Sequence, residues 1–120
     1  MYYGPAEYNF FRSYSQEGLV MSGQAVEDFI KKEVQLLPEE FRELRQYFVK
    51  PEKVSCETLN GRSIDLWNVF QKDEYRIVYS DQKNIFGIAF INIIQDLIYL
   101  GGNGTLSDAL TAYIQRDIKE

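Results

Sequence analysis

The stretch Lys53–Phe70, KVSCETLNGRSIDLWNVF, decides how the chain is read. Asn60-Gly61 stands between two runs of alternating character, and that dipeptide favours the backbone angles of a tight hairpin turn. Side chains alternate across a strand. On the second run Ile64, Leu66 and Phe70 therefore share one face, and Asp65, Trp67 and Val69 share the other. Upstream of Pro51 the apolar period is near four, so the change to two marks the passage from helix to sheet.

Downstream the pattern repeats. QKDE, ending at Glu74, reads as a turn, YRIVYS as a strand, DQKN as a turn, IFGIAFIN as a fourth strand and DLIYL as a fifth. Connections this short make neighbouring strands antiparallel, because a parallel crossover needs about a dozen residues. The result is a meander. IFGIAFINII is apolar on both faces, which suits a central strand covered on both sides.

Ser22 is a candidate N-cap for a helix with Val26, Phe29, Ile30, Val34 and Leu37 on one stripe, and Glu27 and Asp28 in its early turns. Pro38 suits the first turn of a second helix, Phe41, Leu44 and Phe48 line one of its faces, and Pro51 ends it. Near the end, TLSDALTAYIQRDIKE places Leu106, Ala109, Leu110, Tyr113, Ile114 and Ile118 on the apolar stripe of a third helix. The expected fold is α+β in one domain, residues 1–120, with an antiparallel meander of about five strands packed against two N-terminal helices and one C-terminal helix. Residues 1–20 form an aromatic-rich arm, 21–50 are helical, 53–100 make the sheet and 105–119 the last helix. Ile64, Leu66, Phe70, Ile77, Phe86, Ile88 and Phe90 are the expected core. Tyr2, Tyr3, Tyr8, Phe10, Phe11 and Tyr14 crowd the arm without a period; packing against the domain and exposure as a sticky surface are both open. Met21 is also a candidate alternative start.

LIYLGGNGTLSDAL, Leu97–Leu110, invites a phosphate-binding reading, since Gly102, Gly104 and Ser107 fall at G-x-G-x-x-S. The dinucleotide fingerprint wants Gly or Ala last, a parallel strand–helix–strand unit and an acid about 20 residues on. None follows here, and no lysine completes a P-loop. The glycines and Asn103 read as a corner, with Thr105 capping the helix and Asp108 at the capping-box position.

Composition excludes more than it assigns. The 120 residues carry a net charge of −5, no histidine and one cysteine. Without histidine there is no Ser-His or Cys-His nucleophile pair and no His-containing zinc site. Cys56, alone, forms no intrachain disulfide and reads as a small buried filler. Scattered Lys and Arg offer no basic face for nucleic acid. No apolar run reaches the roughly 20 residues of a membrane helix, and the start lacks a signal-peptide pattern, so a cytoplasmic protein is expected. Neither a metal nor a cofactor is expected.

The candidate partner-binding residues are the acids Glu39, Glu40 and Glu43, the turn acids Asp73 and Glu74, and the aromatics Trp67, Tyr75 and Tyr79. Aromatics mixed with arginine, here Arg76, are of the type enriched at binding hot spots. The same tyrosines are also good core material. Glu39 and Glu43 lie one α-helical turn apart, as do Glu40 and Glu43, interleaved with Arg42 and Arg45, which reads as a solvated, ion-paired face.

VEDFIKKEVQLLPEEFRELRQYF, Val26–Phe48, resembles the opening of the SUKH-type proteins, many of them bacterial immunity proteins. The residues that carry it are Leu37, Pro38, Glu39, Phe41 and Phe48. The strands and the closing GTLSDALTAYI are similar in order, although VKPEKV stands where that family has a glycine pair. The resemblance implies a non-catalytic binding protein that masks a partner, a basic toxin domain. The alternative is a small-ligand or regulatory module with a pocket between sheet and helix. An enzyme would need acid–base work from Asp, Glu, Tyr or Lys alone. An open edge strand would allow a homodimer.

Overall fold

Five strands follow one another around a closed barrel in the computed structural model, which describes residues 21–119, with side chains as far as Arg116. They are β1 (Phe48–Thr58), β2 (Ser63–Lys72), β3 (Tyr75–Ser80), β4 (Ile85–Ile91) and β5 (Leu97–Gly104). Each is antiparallel to the next. Three helices flank them: α1 (Gly23–Gln35), a 3-10 helix (Glu39–Tyr47) and α2 (Leu106–Lys119). The fold is thus α+β, with an antiparallel five-stranded meander and three helices. The aromatic arm lies outside the described residues.

The sheet does not stay open. β1 meets β5 in parallel through Glu57↔Ile98 and Thr58↔Tyr99, so the two outer strands of the meander join. Only one end of β1 takes part. Its stretch from Phe48 to Glu52 bulges and holds Pro51, which has no N–H to offer a neighbouring strand. An open-edge dimer therefore loses the edge it was expected to use at the closure.

Closure gives the sheet two buried faces. Cys56, Leu66, Val78 and Ala89, with Val54, Ile64, Leu97 and Tyr99 packed on them, form a cluster to which all five strands and no helix contribute. This is the barrel interior, and it is narrow. Gly87 shows how narrow: a Cβ there would lie 2.3 Å from the Gly101 carbonyl oxygen and 2.8 Å from the Tyr99 ring. The outer face carries the helices. Trp67, Val69, Ile77, Tyr79, Phe86 and Ile88 meet Val26 and Ile30 of α1, Phe41 of the 3-10 helix, and Leu106, Leu110 and Tyr113 of α2.

The expected core is real but divided. Leu66 is inside, with the half-buried Ile64; Phe70, Ile77, Phe86 and Ile88 are under the helices; Phe90 is half-exposed. Phe70 leaves the face of Ile64 and Leu66 because β2 carries a register shift between Asn68 and Phe70. One extra residue turns the strand over.

Local signals account for the joints. Ser22 caps α1 by accepting from the Ala25 N–H at 3.1 Å. The first hairpin turn runs from Thr58 to Gly61, whose N–H donates to the Thr58 carbonyl at 3.0 Å. Gly61 alone takes a left-handed φ, 85°, so Asn60-Gly61 makes a three-residue loop and not a two-residue one. The glycine run is no free corner either. Gly102 and Gly104 belong to β5 and pair with Gly87 and Phe86 across two register shifts. The capping of α2 is as expected: the Thr105 N–H donates to Asp108 Oδ2 at 3.0 Å, and the Asp108 N–H to Thr105 Oγ1 at 3.1 Å.

The second helix differs in kind. Wound as a 3-10 helix with three residues per turn, it puts Phe41, Leu44 and Tyr47 on one line, all packed into the outer core. Phe48 is not on that stripe. It opens β1, and Pro51 lies within that strand instead of ending a helix.

Candidate functional site

The β2–β3 turn and the β4–β5 loop lie together at one end of the barrel, tied by the Ile91 N–H, which donates to the Glu74 carbonyl at 2.9 Å. The turn is Asp73-Glu74, with Asp73 at a left-handed φ of 56° that aspartate tolerates better than most residues. Lys72 Nζ donates to Asp73 Oδ2 at 3.2 Å and stands 5.3 Å over the Tyr47 ring. Its ammonium pKa is raised, first by that hydrogen bond. Arg76 donates to the carbonyls of Asp73 and Tyr75, both at 2.9 Å, and burial pulls its pKa down.

The β4–β5 loop is built on Asn92. Its Oδ1 accepts from the Ile94 N–H at 3.1 Å and the Asp96 N–H at 2.9 Å, while its own N–H donates to the Asp96 carbonyl at 2.9 Å. Gln95 completes the turn at φ 70° and donates its N–H to the Asn92 carbonyl. With the backbone so occupied, the loop projects two isoleucines into solvent. Ile93 is 94% exposed and Ile94 71%.

Beside this loop, between the sheet end and α2, runs a groove of about 730 Å³. Tyr75, Phe90, Ile91 and Leu100 give it an apolar lining, Ile93 forms its lip, and Glu74 and Arg116 stand at its border. Tyr75 is held edge-on against Tyr113 of α2, ring centroids 5.7 Å apart. Glu74 and Arg116 are exposed, and neither is ion-paired among the described residues.

Of the sequence-predicted partner residues, Asp73, Glu74 and Tyr75 come together here. Trp67 and Tyr79 do not. Trp67 is buried beneath α1, donates from Nε1 to Asp81 Oδ2 at 3.3 Å, and lies under the Lys53 ammonium at 4.7 Å. Tyr79 is buried against Phe29 and Phe86, its hydroxyl donating to Asn84 Oδ1 at 2.8 Å. Burial raises its pKa, with Asp81 and Glu33 adding to the effect. Both are core side chains of the helix-covered face, because the outward positions of β2 and β3 point at α1.

Glu39, Glu40 and Glu43 are exposed on the 3-10 helix. Its winding separates Glu39 from Glu43, pairs Glu39 with Arg42 at 2.8 Å, and aligns Glu40 with Glu43. Neither of the latter two has an ion-pair partner among the described residues.

Ile93, Ile94 and Arg116 escaped the sequence reading. The isoleucines close the apolar run IFGIAFINII, whose two apolar faces suggested coverage and not exposure. The signal was Asn92, a residue whose side chain commonly bonds the backbone two residues on, with Asp96 closing the turn. Among the described residues no three Cys, Asp or Glu side chains gather as a metal site, and no helix is long and apolar enough to cross a membrane. No protein-family model, no curated protein and no solved structure matches the chain.

Proposed function

We propose that the chain is a non-catalytic protein-binding module whose contact face is the barrel end bearing Glu74, Tyr75, Ile93 and Ile94. The observation that carries this is the pair of exposed isoleucines on a hydrogen-bonded loop at the lip of an apolar groove. Apolar side chains held this way lose little freedom on docking, so their burial converts efficiently into affinity. A basic protein is the favoured kind of heterologous partner. The net charge of −5 and the acids Glu40 and Glu43, which have no ion-pair partner among the described residues, support it, as does the resemblance to SUKH-type immunity proteins, which implies a masked toxin domain.

Capture on the immobilised chain, compared with the Ile93→Asp, Ile94→Asp double variant, tests the reading. A protein held at micromolar affinity or tighter by the parent and lost by the variant is the expected result. Equal capture by both removes the face from consideration. A second reading, a small-ligand module, draws on the groove volume of about 730 Å³ and on Glu74 and Arg116 at its border. A metabolite that raises the melting temperature of the parent but not of a Tyr75→Ala, Arg116→Ala variant would favour it.

A further inference from the structure

The barrel-end face holds a knob and a hole side by side. Ile93, 94% exposed, does not fill the groove it borders. Glu74 and Arg116 border that groove too, one carboxylate and one guanidinium, both exposed and without an ion-pair partner among the described residues. A basic partner would satisfy Glu74 here and still have to offer Arg116 a carboxylate. A groove that carries one charge of each sign beside an apolar lining can pair with a second copy of itself.

Twofold symmetry uses such a patch twice over, since residue i meets residue j and j meets i. Turned face to face, two copies would each place Ile93 in the groove of the other and Glu74 against the other's Arg116. We propose that the occupant of this groove is a second copy of the chain, in a twofold homodimer centred on Ile93; this rests on the barrel end being a protein-binding face. The dimer uses side chains at the end of the barrel, not strand-to-strand pairing.

Sedimentation velocity on the whole chain across a concentration series tests it. The parent is expected to run as a concentration-dependent dimer, and Ile93→Asp to weaken association by about tenfold or more, as a lost apolar anchor should. Glu74→Arg and Arg116→Glu should each weaken it, and the two combined should restore it to within about threefold of the parent. Circular dichroism confirms that each variant is folded, and the charge-swap rescue stands independently of Ile93. A parent that stays monomeric to about 500 μM, far weaker than specific dimers, overturns the homodimer. If that monomer still captures another protein in an Ile93-dependent way, the face binds a different partner and only the second copy is wrong. A dimer indifferent to Ile93, Glu74 and Arg116 alike overturns the proposal as well.

Discussion

Gly87 faces the barrel interior at the place where β4, β5 and the Tyr99 ring converge. With a Cβ brought within 2.3 Å of a backbone oxygen and 2.8 Å of the ring, relief would require β5 itself to move. Gly87→Ala should therefore cost about 1–3 kcal/mol, measured as a lower urea midpoint at unchanged m-value. The neighbouring thiol of Cys56 gives a second prediction. Burial, then the charge of Asp65, pushes its pKa from 9.0 up to about 11. Between those values the unfolded chain gives up the thiol proton while the folded chain keeps it, so stability is full below pH 9 and falls as pH rises towards 11. Subtracting the pH–stability profile of Cys56→Ala isolates this fall from other titrations. If parent and variant run parallel across that window, the thiol is not held protonated by the fold.

At the scale of elements, local patterns were legible and non-local ones were not. Thr105 and Asp108 bond each other across three residues, and nothing outside the segment has to be known to read them. Hydrogen bonds from Thr105, its backbone N–H first and its side chain second, hold the Asp108 carboxyl below its ordinary pKa. A depressed carboxyl contributes stability that is present above its unfolded pKa and is lost as pH falls through the folded value. Thr105→Ala should cost roughly 0.5–2 kcal/mol by thermal or urea denaturation at neutral pH. Asp108→Asn should flatten part of the acid limb of the profile; an unchanged limb would mean the box contributes nothing. The 3-10 helix misled by a smaller margin. Phe41, Leu44 and Tyr47 recur every three residues, and that strict spacing was in the sequence. The α-helical template tolerates the same spacing at its start and then reaches for Phe48. Trp67 and Tyr79 misled in the opposite direction, because hot-spot composition and core composition are the same residues, and only the position of α1 tells them apart.

The whole molecule depends on a contact that no short window of sequence contains. Glu57 and Ile98 are separated by the entire meander, yet their parallel pairing with Thr58 and Tyr99 turns a sheet into a barrel and gives its second face an interior. That join is short, two residue pairs, while β4 is paired along both edges and covered on both faces by Phe86 and Ile88 outside and Ala89 inside. Opening the join breaks two residue pairs; freeing β4 breaks pairing along both its edges and removes its side chains from both clusters at once. Native-state hydrogen exchange should separate the two. The amides of Ile88 and Ala89 should exchange only through global unfolding, whereas the β5 amides facing β1 near Ile98 should open at a free energy lower by about 1 kcal/mol or more. Leu66→Ala, which hollows the interior cluster, should cost roughly 2–5 kcal/mol. Because strands of the barrel serve both clusters, that loss should lower the exchange free energies of the helix-facing amides equally. Were Ile88 to keep its protection in Leu66→Ala while the interior loosened, the two faces of the sheet would be separate folding units, and the barrel would not unfold as one body.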